Sequence, residues 1–289
     1  MPDAVYIVDK PRGITSHDAV TLAKRLLGAR KAGHAGTLDP MATGVLLVCL
    51  DEATKVTRFL MDMEKEYLAE LRLGQRTDTL DAEGRVTETV EDFSVTEDQA
   101  REVIGRFQGD IRQSPPMYSA IKVGGRPLYK LAREGKAAQV PERLVRVSSI
   151  SLVSLAPPCM TIRVVCSKGT YVRTLADDIG RALGPGAHLA GLRRLRVGPF
   201  SVEDAAPPDA LAQSPLAALS IDRALSHLEE VVLNPREHAG ALNGRPVEDG
   251  RGIPEGRFLR LKSPEGGLFA VGLSAKGAIR VERLLHLRV

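Results

Sequence analysis

The chain has 289 residues, 43% of them hydrophobic, with a formal net charge of +4 and an isoelectric point near 9.0. That is apolar material enough for one large domain, or a large and a small one. The longest apolar run, Val45 to Leu50, is far too short to cross a bilayer, and the start, Met1-Pro-Asp-Ala-Val, lacks the pattern of a signal peptide, so a soluble cytoplasmic protein is expected.

Cys49, Cys159 and Cys166 are odd in number and lack CxxC spacing, which argues against a disulfide framework or a zinc site. The charge is unevenly distributed. Residues 10 to 34 hold six Lys or Arg against one Asp, residues 112 to 146 eight against two, and residues 234 to 289 ten against six. Residues 78 to 110 reverse the sign, three against ten, as a phosphate-binding face with an acidic back would.

In chain order, Ala4 to Asp9 reads as a strand. Thr15-x-x-Asp18 is a capping box opening a helix, whose Ala19, Ala23, Leu26 and Leu27 share a face before Gly28 ends it. The glycines of Gly33 to Gly44 and the restriction that Pro40 places on Asp39 predict a rigid loop leading into a buried strand, Val45 to Leu50. Alternation in Lys65 to Leu73 puts Tyr67, Ala69, Leu71 and Leu73 on the inner face. Thr96-x-x-Gln99 opens a second capped helix. Strands follow at 143–155 and 160–166, and Thr174 is read as the cap of a helix running through Leu183. The Ala- and Pro-rich stretch Ala205 to Leu219 reads as a connection to a short helix near Ile221 to Leu228. Apolar pieces at Arg257 to Leu261, Leu268 to Leu273 and Ile279 to Val281 then predict a compact β-domain. The mixture is α+β without regular βαβ repetition.

No P-loop, GxGxxG, GxSxG, HExxH or PCxxC occurs, so no metal, nucleotide or redox cofactor is expected. His17, His188, His227, His238 and His286 are scattered, in keeping with surface or capping positions. The informative acid is Asp39, which directly follows a basic segment where a purely phosphate-binding surface would have no carboxylate. From spacing alone both readings stand, a catalytic acid and an ordinary Asp-Pro turn.

Lys10-Pro-x-Gly-x-Thr-Ser16, Gly33-His-x-Gly-Thr-Leu-Asp-Pro-x-Ala-Thr-Gly44, Lys65-Glu-Tyr67, Pro115-Pro-x-Tyr-Ser-Ala120 and Lys168-Gly-Thr-Tyr-Val-Arg173 closely resemble, in order, the motifs of the TruB pseudouridine synthases. The resemblance implies an α+β pseudouridine synthase fold with a central, mainly antiparallel sheet over residues 1–230, and a small β-rich, PUA-like RNA-binding domain over 231–289. It implies isomerisation of uridine 55 in the T loop of tRNA, without a cofactor, by base flipping. It makes Asp39 the nucleophile, Arg173 its ionic partner, Tyr67 a catalytic, proton-handling phenol that with Tyr171 forms the aromatic lining of the base site, Leu192 an apolar wall, and His34 the group that stacks where the base was. The basic insertion at about 122–146, with Lys122, Arg126, Lys130 and Arg133, resembles a mobile element closing on the RNA backbone. The expected partner is the T arm of tRNA, bound by a monomer with no obligatory protein partner and no membrane. A tRNA-folding chaperone with secondary modification activity and a synthase acting on ribosomal RNA remain as alternatives. The pair Asp39 and Arg173, which a pure binder does not need, separates the first of these from an enzyme.

Overall fold

The computed structural model describes residues 3–116, 118, 119, 121–128, 131, 134 and 140–287. Strands β1 (Ala4–Lys10), β2 (Ala32–Ala35), β3 (Thr43–Leu50), β4 (Lys65–Leu73), β7 (Gly109–Gln113), β10 (Arg143–Ala156), β11 (Cys159–Cys166), β12 (Ala187–Val197), β13 (Phe200–Ser201) and β14 (Ala218–Ser220) form one ten-stranded sheet. Two small hairpins, β5 (Gln75–Thr77) with β6 (Val86–Thr89) and β8 (Lys122–Val123) with β9 (Arg126–Pro127), stand outside it. The main path runs β14-β1-β3-β12-β4-β11-β10-β7, and along it only β3 and β12 pair in parallel. The expected mainly antiparallel α+β architecture is what the chain adopts. The short helix after β14 spans Ile221–Ala224.

Periodicity explains most of these elements. In β4 the inward positions Lys65, Tyr67, Ala69, Leu71 and Leu73 are all buried, while Glu70 and Arg72 are exposed. Helix α1 (Ser16–Leu26) begins with the reciprocal Thr15/Asp18 box, and α3 (Glu97–Gly105) with that of Thr96 and Gln99. The face of α1 carrying Ala19, Val20 and Ala23 covers Tyr6, Val8, Leu46 and Val48. On the other face of β1 and β3, Val5, Ile7 and Leu47 meet Phe59 and Leu60 of α2 (Thr57–Met61). A third cluster joins Ala69, Leu71, Met160, Ile162 and Val164 to α3 and to the helix Val172–Leu183.

Two local expectations are corrected. The stretch from Gly33 to Gly44 is not loop throughout, because Ala32–Ala35 is strand, paired from Ala32 opposite Leu50 to Ala35 opposite Leu47; the free edge of β3 captures it. Thr174 is not a cap: the helix starts at Val172, and Tyr171 occupies the cap position without a capping side chain. The buried Gln113 supplies the anchor instead, accepting from the Tyr171 N–H (3.0 Å) and donating to the Tyr171 carbonyl (3.3 Å).

A second sheet contains β15 (Glu229–Val232), β16 (Val247–Glu248), β17 (Phe258–Lys262), β18 (Leu268–Ala275) and β19 (Ala278–Leu284), the expected C-terminal β-rich unit. It has its own core around Leu259, Leu261 and Ala270. Leu268, Val271 and Leu285, however, are buried in the same cluster as Val5, Ile7 and Phe59. Among the described residues, no helix is long and apolar enough to cross a membrane.

Candidate active site

The close approach of β3 and β12 positions the site. Gly44 lies opposite Arg194 with a φ of +99°, and a Cβ there would stand 2.2 Å from the Arg194 carbonyl oxygen, so no side chain fits. This contact sets the turn between β2 and β3 against the inner face of β4. The turn is also held from its other side. The Ser16 hydroxyl donates to the Leu38 carbonyl (2.9 Å) and accepts from the Leu38 N–H (2.8 Å). Gly13 N–H donates to the Pro40 carbonyl (2.8 Å), and the fully buried Lys10 ammonium reaches the carbonyls of Pro11, Ile14 and Pro40. The segment Lys10 to Ser16 is therefore a clamp on both neighbours of Asp39, a role that its spacing did not announce.

Asp39 faces a cavity of about 460 Å³, within the size range of ligand pockets, that is also lined by Lys65, Tyr67, Tyr118, Tyr171, Arg173, Leu192 and Arg194. Arg173 Nε lies 3.0 Å from Asp39 Oδ2, and Nη2 donates to Oδ1 at 3.4 Å. The same guanidinium donates to Asp81 Oδ2 (3.1 Å) and to the Tyr118 carbonyl (3.0 Å). Asp81 is itself fixed, accepting from the Thr79 hydroxyl (2.6 Å) and the Glu83 N–H (3.1 Å). Burial pushes the Asp39 carboxyl above its ordinary value, Arg173 opposes this, and Asp81 adds to it. Burial likewise raises the Tyr67 phenol. The Ser119 hydroxyl also lines the cavity, buried and with no partner among the described residues.

Asp39, Tyr67, Tyr171, Arg173 and Leu192 thus come together around one cavity. His34 does not line it. It sits on β2, with Nδ1 buried and unpartnered among the described residues, and burial lowers its pKa. Lys122 and Arg126 fall in the β8–β9 hairpin, where Arg126 pairs with Glu134. Lys130 and Arg133 lie outside the described residues. Sequence reasoning missed Asp81, because it falls in the segment read as an acidic back; the structure turns this one acid inward, to 3% exposure. It also missed Lys65, although the parity of β4 puts it on the same face as Tyr67, and Arg194, two residues beyond Leu192. Among the described residues, no cluster of His, Cys, Asp or Glu is arranged to hold a metal ion.

Residues 24–172 match the family model described as TruB family pseudouridylate synthase (N-terminal domain). The chain belongs to this family. Residues 173–239 match the tRNA pseudouridylate synthase B C-terminal domain. Among curated relatives of this TruB chain, tRNA pseudouridine synthase B of Ralstonia nicotianae is 43% identical, covering 98% of the chain and 94% of the relative. That of Burkholderia mallei is 44% identical, over 98% and 97%. Among solved structures, a Cbf5–Nop10–Gar1 complex aligns with 29% identity and a TM-score of 0.78, covering 99% of this chain and 86% of the matched one. An H/ACA RNP bound to a substrate RNA containing 2′-deoxyuridine aligns at 27% and 0.77, with the same coverage.

Proposed function

We propose that this TruB protein is a tRNA pseudouridine synthase that isomerises uridine 55 of the T loop, with Asp39 as nucleophile. The observation that carries this reading is the Asp39 carboxylate, held against Arg173 at 3.0 Å and facing a cavity walled by Tyr67, Tyr171 and Leu192. The guanidinium keeps the carboxylate ionised and aimed, although burial favours its neutral form. A cavity with two phenols and an apolar wall suits a single base turned out of the RNA stack. A carboxylate can form the transient covalent bond that divides detachment and reattachment of the base into easier steps. In this reading His34 stacks in the gap the base leaves, and the basic insertion at 122–146 closes over RNA phosphates. The tail, residues 231–289, acts as a PUA-like RNA-binding domain beside a catalytic domain of residues 1–230. The protein works as a monomer in the cytoplasm, where its tRNA substrate is found.

Asp39→Asn tests the reading. It preserves size and removes both the nucleophile and its charge. The variant is expected to bind a T-arm transcript as tightly as the parent and to form no pseudouridine, even with enzyme in excess, because tighter binding cannot replace a lost covalent step. Substantial product, with deamidation back to Asp excluded by mass spectrometry, overturns the assignment.

A further inference from the structure

Lys65 and Arg194 line the same cavity as Asp39, and the function proposed above uses neither. They are 5% and 1% exposed, and neither has a carboxylate partner among the described residues. Buried cations are ordinarily paired, because removing a charge from water costs several kcal/mol that only an opposite charge or hydrogen bonds offset. Backbone carbonyls offset part of that cost here. Lys65 Nζ donates to the carbonyls of Met61 and Met63; Arg194 Nε donates to Val45 O (2.6 Å) and Nη2 to Gly36 O (3.0 Å). Arg194 Nη1 lies 3.5 Å from the Tyr67 hydroxyl.

Counting donors shows what is left. An ammonium has three N–H groups and a guanidinium five. Among the described residues, Lys65 therefore retains one donor without a partner, and Arg194 two. Both groups converge on one place, since a Cβ built on Gly36 would meet Arg194 Nη1 at 3.6 Å and Lys65 Cε at 3.9 Å. Clamping the turn accounts for Arg194 Nε and Nη2, but it gives no reason for a second cation beside them. The charge balance points the same way. Asp39, Asp81 and Arg173 together carry one net negative charge, which would repel an anion in the cavity; Lys65 and Arg194 reverse the sign. Burial, and next the neighbouring guanidinium, push the Lys65 ammonium down to about 8, and an anion brought into the cavity would relieve that strain.

We propose that Lys65 and Arg194 form a cationic seat for the uracil carbonyl oxygens and hold the negative charge the base acquires when it detaches from the ribose. The inference rests on the synthase reading above. As an Asp39 oxygen bonds to C1′, the C1′–N1 bond breaks, and its electron pair goes to the base and is shared by N1 and the carbonyl oxygens. When the C5–C1′ bond forms, the pair comes from the C5=C6 bond of the anion, and the C1′–O bond to Asp39 breaks, its pair returning to the carboxylate. C5 then gives up its proton and N1 takes one up, so atoms and electrons balance without any other reactant. Donors aimed at charge that develops only along this path accelerate it, because they stabilise the detached base more than the intact nucleotide.

The test uses the full-length protein, with enzyme in excess over a T-arm RNA carrying either uridine or 5-fluorouridine at the target position. Consumption of the parent nucleoside is followed by digestion and mass spectrometry. Lys65→Met keeps the length of the stem and removes the charge. If it does not fold, as judged by circular dichroism and melting, Lys65→Gln, which keeps an N–H donor, is measured in its place. With RNA affinity unchanged, the rate on uridine is expected to fall about 100-fold, and on 5-fluorouridine by no more than about 10-fold, because fluorine itself stabilises the detached anion. An equal loss on the two bases, or none on uridine, overturns the proposal. If the parent protein forms no pseudouridine in any tRNA, the synthase reading itself fails, an outcome visible before any variant is made.

Discussion

Asp81 offers the sharpest test of how Asp39 and Arg173 are held together. Asp81→Asn keeps the shape and removes one charge from a guanidinium that is only 7% exposed. Removing one partner of a buried ion pair costs about 3–5 kcal/mol. Two details place this case at the lower end. Arg173 keeps Asp39 as a second carboxylate, at 3.0 Å. The amide also keeps one acceptor oxygen, which serves either Arg173 Nη1 or the Glu83 N–H, two donors that Asp81 satisfies with separate oxygens. One buried N–H is then left facing an NH₂ group, at about 1–3 kcal/mol. We therefore expect a loss of about 3 kcal/mol in urea unfolding. With its second carboxylate gone, the guanidinium is held only by Asp39 and the Tyr118 carbonyl, and a displacement of about 1 Å lowers single-turnover pseudouridine formation about 100-fold. Stability within about 0.5 kcal/mol of the parent, together with turnover within about threefold, would refute the reasoning.

Two further outcomes are expected. In the proposed reading Asp39 acts as nucleophile and must be ionised, and burial raises it above its ordinary carboxylate value; single-turnover rates should therefore fall as the pH drops through a value higher than that of a free Asp. An acid limb at or below the free value shows that Arg173 outweighs burial. Gly44→Ala combines an unfavourable φ with a Cβ 2.2 Å from a backbone oxygen, so melting and denaturant titration should show a loss of about 3 kcal/mol or more.

Elements governed by local chemistry were legible in the sequence. The capping boxes at Thr15 and Thr96 and the alternation of β4 follow from periodicity and side-chain reach alone, and they placed Tyr67 on the inner face. Asp39 and Arg173 were legible only through motifs, since they are 134 residues apart in sequence and meet through sheet pairing. The partners that organise them were hidden for related reasons. Asp81 sits among exposed acids, and composition cannot show which member of a charged run turns inward. Lys65 obeys the alternation, but the pattern alone does not mark a lysine as buried, because burial requires carbonyl acceptors that the folded turn at Met61 to Met63 provides. The helix entry at Tyr171 depends on Gln113, 58 residues away, so a nearby Thr174 looked like the better cap.

The shared burial of Leu268, Val271 and Leu285 with Val5, Ile7 and Phe59 makes the C-terminal sheet a wall of the same core that backs β1 and β3. Phe258 meets Phe59 edge to face at a ring separation of 4.9 Å, directly behind the helix that ends at Met61, whose carbonyl accepts from Lys65. The tail is thus mortised into the frame rather than tethered to it. The spacing between its surface and the cavity is therefore fixed like the jaws of a caliper.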